Sequence, residues 1–419
     1  MAPTDPHPPT DLRRHISGFL SPKQALRINN DEPTLLRFIR GIPKAELHLH
    51  IEGTLEPSLQ LAIAKRNGLS HTLEGYSCYD GDEASAGSDA DWCKAQNAKR
   101  RFQNLQEFLD LYYSACDVLR TEQDFFDLAF AYFTKASESR VVRAEVFFDP
   151  QTHTIERNTL PLETVINGLY RACKAAKTQL SPPVDAHLIM CFLRHRHPGC
   201  SLAQPPAMAG EALQVLEDAL QGGHRDKLLG IGLDSSEEGN PPALFEDVFA
   251  RAREAGLRLC AHAGEEGPAS WVTEALDVLK VERVDHGVRS LEDPAVLKRL
   301  ADNKTPLTVC PCSNHRLQVI SRFFSGENPV RQMLSAGLKI SLNGDDPAYF
   351  FGHEDKYGTS YDGYIDSNYA ATARECALSA DELVKLALDS LDSSFAPKEE
   401  KLKYREAVRR YCQEFQYDE

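Results

Sequence analysis

The sequence predicts an α/β fold, a (β/α)8 barrel of the TIM type with an insertion after the first strand and extra terminal helices. Three observations predict it. Eight short apolar, β-branched or aromatic runs alternate with amphipathic stretches of helical length, the pattern of a parallel sheet wrapped by helices. The length, 419 residues, suits one large barrel with insertions. Each run also starts apolar and finishes in ionisable residues, Gly or Pro, and the C-terminal strand ends are where a barrel carries its active site.

The first run lies in "IPKAELHLHIEG", residues 42–53. At a period of two, Lys44, Glu46, His48, His50 and Glu52 fall on one face, and Ala45, Leu47, Leu49 and Ile51 on the other. A half-exposed strand alternates in the same way, but water asks for no histidine there, and two histidines at i and i+2 point to one place. About 90 residues separate this run from the second. Residues 70–94 read as a polar surface insertion. After it, in "RFQNLQEFLDLYY", Phe102, Leu105, Phe108, Leu109 and Tyr112 recur at helical spacing. That helix either faces the core or forms an apolar lid over a site beside the first strand.

The remaining runs are "RAEVFFDPQTH" from Arg143, "AHLIMCFLRH" from Ala186, "LLGIGLDSSE" from Leu228 and "LRLCAHAGEE" from Leu257. Then come "RVDHGV" from Arg283, "PLTVCPCSN" from Pro306 and "LKISLNGDDP" from Leu338. Helical patterns such as "LETVINGLYRACKAAK", "PALFEDVFARAREAG" and "WVTEALDVLK" lie between them. Residues 379–419 read as charged helices on the outside of the barrel. Residues 1–41, with their prolines, read as a partly flexible N-terminal extension, and 42–419 as a single barrel domain.

Composition narrows the function class. The balance of 47 basic to 62 acidic residues, a formal charge of −15, disfavours nucleic-acid binding and suits an enzyme of small molecules. No apolar run approaches the roughly 18 residues of a membrane span, and the first residues lack the apolar core of a signal peptide. The 11 scattered cysteines read as reduced thiols. The expectation is a cytoplasmic protein with a small-molecule substrate, no membrane or nucleic-acid partner, and homo-oligomerisation left open.

Several strand ends carry chemistry. His48 and His50 can share one metal ion. His195 and His197 have the same spacing, but Arg194 and Arg196 flank them and repel a cation. His262 ends the "LRLCAH" run, with Glu265 three residues on. Asp345 and Asp346 end the last run, where adjacent acids before Pro also serve as a turn or helix cap. Three histidines and one aspartate converging on a barrel mouth make an open, nitrogen-rich divalent site. That donor set favours zinc, while iron, cobalt and manganese also accept it. Such a site activates water, with Glu265 and His286 dividing the proton transfers. The residues alone therefore predict a metal-dependent hydrolase with an open choice of substrate.

The motifs "AELHLHIEGTLEP", "EVFFDPQTH", "GIGLDSSE", "AHAGEEGP", "RVDHGVR", "LTVCPCSN" and "LNGDDPAYF" together resemble the adenosine/AMP deaminase family, over about residues 42–369. The resemblance implies that His48, His50, His262 and Asp345 are the ligands of one divalent ion, zinc. It implies that Glu265 delivers a proton to purine N1, that His286 orients and helps deprotonate the attacking water, and that Asp346 hydrogen-bonds N7. "GLDSSE" is similar to members that act on free adenine, and Asp234 and Ser235 within it are expected substrate contacts. Glu52 stands where adenosine-acting members carry Asp, a partner for a ribose hydroxyl. Its extra methylene reaches into the sugar's space, where it could accept from N9–H of a free base. The implied reaction is adenine to hypoxanthine plus ammonia, as in purine salvage. Adenosine or an N6-substituted adenine nucleotide is the alternative substrate, and an inactive binding protein on the same fold the remote one. Two features depart from the family: Gly344 stands where serine is usual, and Cys312 and His315 where apolar residues are.

Overall fold

The computed structural model describes residues 19–73, 89–100, 102, 105–194, 205–354 and 359–416. Eight parallel strands form one sheet in sequence order: β1 (Lys44–Glu46), β2 (Val141–Phe148), β3 (Asp185–Leu193), β4 (Leu228–Asp234), β5 (Arg258–Ala263), β6 (Arg283–His286), β7 (Pro306–Val309) and β8 (Lys339–Leu342). Every predicted run overlaps one of them, with β2 and β3 starting two residues and one residue earlier than predicted. Closure of the ring is made just beyond the first and last strands. His50 N donates to Asp345 O at 3.0 Å, Asp345 N donates to His48 O at 3.1 Å, and Leu47 N donates to Asn343 Oδ1 at 2.8 Å. The seam of the barrel is thus built from the backbone of predicted site residues.

The helices form the outer layer. Helix Leu162–Gln179 covers the predicted "LETVINGLYRACKAAK", burying Val165, Ile166, Leu169, Ala172 and Ala176 at helical spacing. Helix Glu122–Glu138 starts at a capping box, in which Thr121 and Asp124 satisfy each other's backbone donors. The predicted C-terminal helices are Ala380–Ser393 and Lys398–Glu414. Of the N-terminal extension, residues 22–41 fold into two helices, capped by Ser21 and Asp31. They dock on the last helix: Gln24 Nε2 donates to Cys412 O and Phe415 O, and the Phe38 ring meets Tyr411 and Phe415. Residues 1–18, and the 74–88 part of the predicted insertion, lie outside the described residues. No disulfide occurs among the described residues. No helix among them is long and apolar enough to cross a membrane.

Phe147, Ile189, Cys191 and Cys260 fill the barrel interior. Below them a buried ionic group spans its floor. Arg283 donates to Glu145 Oε2 at 2.6 Å, and Arg143 reaches Glu145 Oε1 at 2.9 Å and Asp185 Oδ2 at 2.7 Å. Packing density keeps the interior a solid core, so chemistry is confined to the mouth.

One expectation is corrected. Lys44, Glu46, His48, His50 and Glu52 do not share a face. Glu46 stands opposite Ala144 and His50 opposite Phe147, four residue steps on one strand against three on the other. The extra residue is a bulge, and it reverses the side-chain alternation. Before it, side chains meet the helix layer: Glu46 accepts from Tyr132 OH at 2.6 Å and Gly344 N at 2.9 Å. Lys44 Nζ donates to the carbonyls of Ile39, Ile42 and Ser139 and pairs with Asp366 at 3.1 Å. After the bulge, His48 and His50 face the barrel axis.

Candidate active site

At the C-terminal mouth, His48, His262 and His286 stand with ring centroids 4.6–5.1 Å apart, and His50 lies 5.2 Å from His262. His50 Nε2 faces His262 Nε2 at 3.2 Å and Asp345 Oδ1 at 3.6 Å, and His48 Nε2 faces Asp345 Oδ1 at 3.5 Å. Bonds of about 2.0–2.1 Å to a tetrahedral ion give ligand edges of about 3.3–3.4 Å. The observed edges have that size. His48 Nε2 is buried and makes no hydrogen bond, as a ligand lone pair would. The donors present therefore fit one divalent ion. The local charge asks for one too: burial opposes a charge on His50, yet Asp346, Asp234 and Asp345 pull its pKa up to about 10.

Glu265 and His286 flank this cluster. His286 Nε2 lies 3.4 Å from Glu265 Oε2 and 3.8 Å from Asp345 Oδ2. Burial, reinforced by Asp345, Glu266, Glu237 and Asp346, pushes the Glu265 carboxyl well above its ordinary range. Burial and the neighbouring His48 hold His286 well below its own. A carboxylic acid and a neutral imidazole so placed make a proton donor beside a proton acceptor. Burial and Asp345 likewise raise Asp346, and its Oδ1 is buried without a partner.

Three of these residues end strands in the left-handed region: Ser235 (φ 72°), His286 (φ 61°) and Asp345 (φ 62°). Non-glycine residues adopt it at a cost, and such strain concentrates at functional sites. Here the turn swings each side chain over the mouth.

The cleft is narrow, with a cavity volume of about 40 Å³. His50, Asp234, Ser235, His262, Glu265, His286, Asp345 and Asp346 all line it, and His48 joins the cluster at its floor. Asp234 has a further contact: its Oδ2 stands 3.4 Å from His50 Nδ1. Glu52 is not among the lining residues. Its Oε1 accepts from Asp149 N and from His153 Nε2, each at 3.0 Å, and its Oε2 is buried and unpaired. His195 and His197 lie outside the described residues. Helix Leu105–Ala115 serves both purposes considered for it. Leu105, Phe108, Leu109 and Tyr112 are buried, and the same side chains wall the cleft.

The structure adds contacts that the sequence did not reveal. Asp149 lines the cleft. Glu237 accepts from the backbone of Gly264, Glu265 and Gly267 at 3.0–3.1 Å, fixing the loop that carries Glu265. Asn314 Nδ2 lies 3.3 Å from both Glu265 Oε1 and His286 Nδ1. Thr308 and Asp285 stand behind the histidines: Thr308 Oγ1 contacts His48 Nδ1 at 3.0 Å and donates to Asp285 Oδ1 at 2.8 Å. Gly344, one of the two departures from the family, has a packing reason. A Cβ there would stand 2.9 Å from Glu46 Oε1.

Fold and mouth together define a class: a (β/α)8 barrel hydrolase with a histidine–carboxylate centre. The model of the adenosine deaminase family matches residues 43–411, and the chain belongs to that family. It is 46% identical over 370 residues to an adenine deaminase of Acinetobacter baylyi, covering 88% of this chain and 97% of that one. A crystal structure of adenine deaminase from Arthrobacter aurescens superposes with a TM-score of 0.74 at 41% identity, covering 89% of this chain and all of that one. An amidohydrolase from Burkholderia ambifaria, crystallised with bound Zn, shares the fold at 24% identity and a TM-score of 0.71, over 91% and 93% of the two chains.

Proposed function

We propose that this chain hydrolyses adenine to hypoxanthine and ammonia, with one divalent ion, zinc foremost, held by His48, His50, His262 and Asp345. The observation that carries the reaction type is the buried pair of Glu265 and His286 beside the histidine–aspartate cluster. The identity to adenine deaminases supports the substrate.

An ion held there would acidify a water toward a pKa of ~7. The protein's own groups do the rest. Glu265, kept protonated by burial, gives its proton to N1. That draws electron density from C6 and opens it to attack. His286, kept neutral, takes the proton of the attacking water and orients it toward C6. A tetrahedral carbinolamine forms, His286 passes its proton to the C6 amino group, the C6–N bond breaks, and ammonia leaves as the C6 hydroxyl proton returns to Glu265. Asp346, whose high pKa leaves it a proton to donate, bonds N7. The wall of Leu105, Phe108, Leu109 and Tyr112 covers the ring and excludes bulk water.

The free-base reading has a charge argument. Among the described residues that line the cleft there is no lysine or arginine. A nucleotide phosphate has no counter-ion there, which disfavours AMP-type substrates. Carboxylates dominate instead, and N–H groups of a free purine suit them.

A substrate panel tests the proposal: adenine, adenosine, AMP and N6-methyl-AMP, with ammonia release measured and metal content assayed. Adenine is expected to be turned over far better than the others by protein holding one metal ion. Faster turnover of adenosine would overturn the free-base reading, and normal activity in His262→Ala would overturn the metal assignment.

A further inference from the structure

We infer that Asp285 is a positioning residue for two histidines at once, directly for His262 and through Thr308 for His48, and thereby sets the metal affinity of the site. The inference rests on the ligand set proposed above. The strand register brings these groups together. His262 on β5 pairs with Asp285 on β6, and Asp285 pairs with Thr308 on β7, so the three occupy one layer of the barrel.

Hydrogen-bond direction follows from the chemistry of each group. The Asp285 carboxylate accepts, so the Thr308 hydroxyl spends its only hydrogen on Oδ1 at 2.8 Å. The Thr308 oxygen is then left as an acceptor, and His48 Nδ1, at 3.0 Å, must be the protonated nitrogen. Nε2 of His48 is therefore the bare nitrogen, and it is the one facing Asp345. The second Asp285 oxygen faces His262 Nδ1 at 3.8 Å, and both atoms are buried without another partner. A proton on that Nδ1 leaves Nε2 of His262 bare toward His50. One carboxylate thus fixes the His48 tautomer through Thr308 and stands as the nearest acceptor for His262 Nδ1, as outer partners of metal-bound histidines do.

Asp285 is itself held. It is fully buried, with Arg283 Nε 3.7 Å from Oδ1, and Arg283 is anchored on Glu145 at 2.6 Å and on Leu47 O at 3.1 Å. Arg283 thus sets a positive charge beside this buried carboxylate. His50 is served separately, by Asp234.

The test is zinc affinity, read by competition between the full-length protein and a chromophoric chelator, with thermal melts of the metal-free forms to show that each variant folds. Thr308→Val, close to isosteric, and Asp285→Asn are expected to weaken zinc binding roughly 10–100-fold. Thr308→Ser, which keeps the hydroxyl, is expected to restore the wild-type value. His262→Ala separates the two levels of the argument. Wild-type protein without zinc affinity, or His262→Ala with undiminished affinity, refutes the ligand set. Zinc lost by His262→Ala but held at wild-type strength by folded Thr308→Val and Asp285→Asn overturns the positioning role alone.

Discussion

Gly53→Ala should cripple the site without touching any group that reacts. Gly53 closes the motif that begins at His48. A Cβ there would lie 1.9 Å from Asp346 Oδ1 and 2.6 Å from its Cβ and Cγ. Ordinary contacts are about 3.5 Å, so the carboxyl must retreat by roughly 1.5 Å. The backbone has little freedom to yield instead. Ala348 N donates to Gly53 O at 2.9 Å, and Tyr349 N and Phe350 N both donate to Asp346 O. A retreat of that size breaks the proposed bond from Asp346 to N7. A hydrogen bond between neutral groups contributes about 0.5–1.5 kcal/mol, which is roughly 2- to 13-fold in kcat/KM. Ammonia release from adenine reads the loss, and zinc content is expected to stay at the wild-type level. Because the effect runs through Asp346, the double variant Gly53→Ala/Asp346→Asn should lose no more than Asp346→Asn alone. Wild-type kcat/KM in Gly53→Ala, or full additivity in the double variant, would refute the reasoning.

Other outcomes follow from the same geometry. Glu265→Gln keeps the shape and removes the proton, so kcat should fall about 10²–10⁴-fold. The raised pKa of Glu265 means that the active, protonated form is present below that pKa and lost above it. The wild-type kcat/KM should therefore decline on the alkaline side, and a profile flat through that limb would count against Glu265 as the acid. Glu237→Ala leaves three backbone N–H groups without their acceptor, and each buried orphan costs about 1–3 kcal/mol. Both Tm and kcat should drop with metal content unchanged, whereas a wild-type kcat would deny Glu237 any hold on Glu265. Glu52→Asp withdraws the carboxylate by one methylene, and adenosine turnover should rise relative to adenine. An unchanged ratio would remove Glu52 from the specificity argument.

The barrel was legible because its strands and helices have different periods and because polar residues gather at one end of every strand. That His48, His50, His262, Glu265, His286, Asp345 and Asp346 converge on one mouth was legible for the same reason: histidines and acids at strand ends are conspicuous. Other functional features leave weaker signals. Thr308 and Asp285 lie inside strands, and only the register between neighbouring strands reveals that they share a layer with His262. An acid or hydroxyl within an apolar run was the available hint. Glu237 acts on a loop 27–30 residues away in sequence, a distance that no local pattern encodes. The single-face reading of residues 44–52 failed because alternation assumes an unbroken register. A bulge shifts that register without leaving any mark in composition.

That bulge matters for anyone wishing to transplant this centre. The short segment from Lys44 to His50 answers to two masters, the helix layer with its first half and the proposed metal site with its second. Copying His-x-His onto an uninterrupted strand of another scaffold would deliver the pair, but not the anchorage of Glu46 on Tyr132 and Gly344 that precedes it. The same residues laid out as an unbulged strand, with Glu46 still on the helix layer, would turn both imidazoles into that layer and leave the cavity floor bare. The portable unit is therefore the irregular segment together with its outer anchor, not the two histidines.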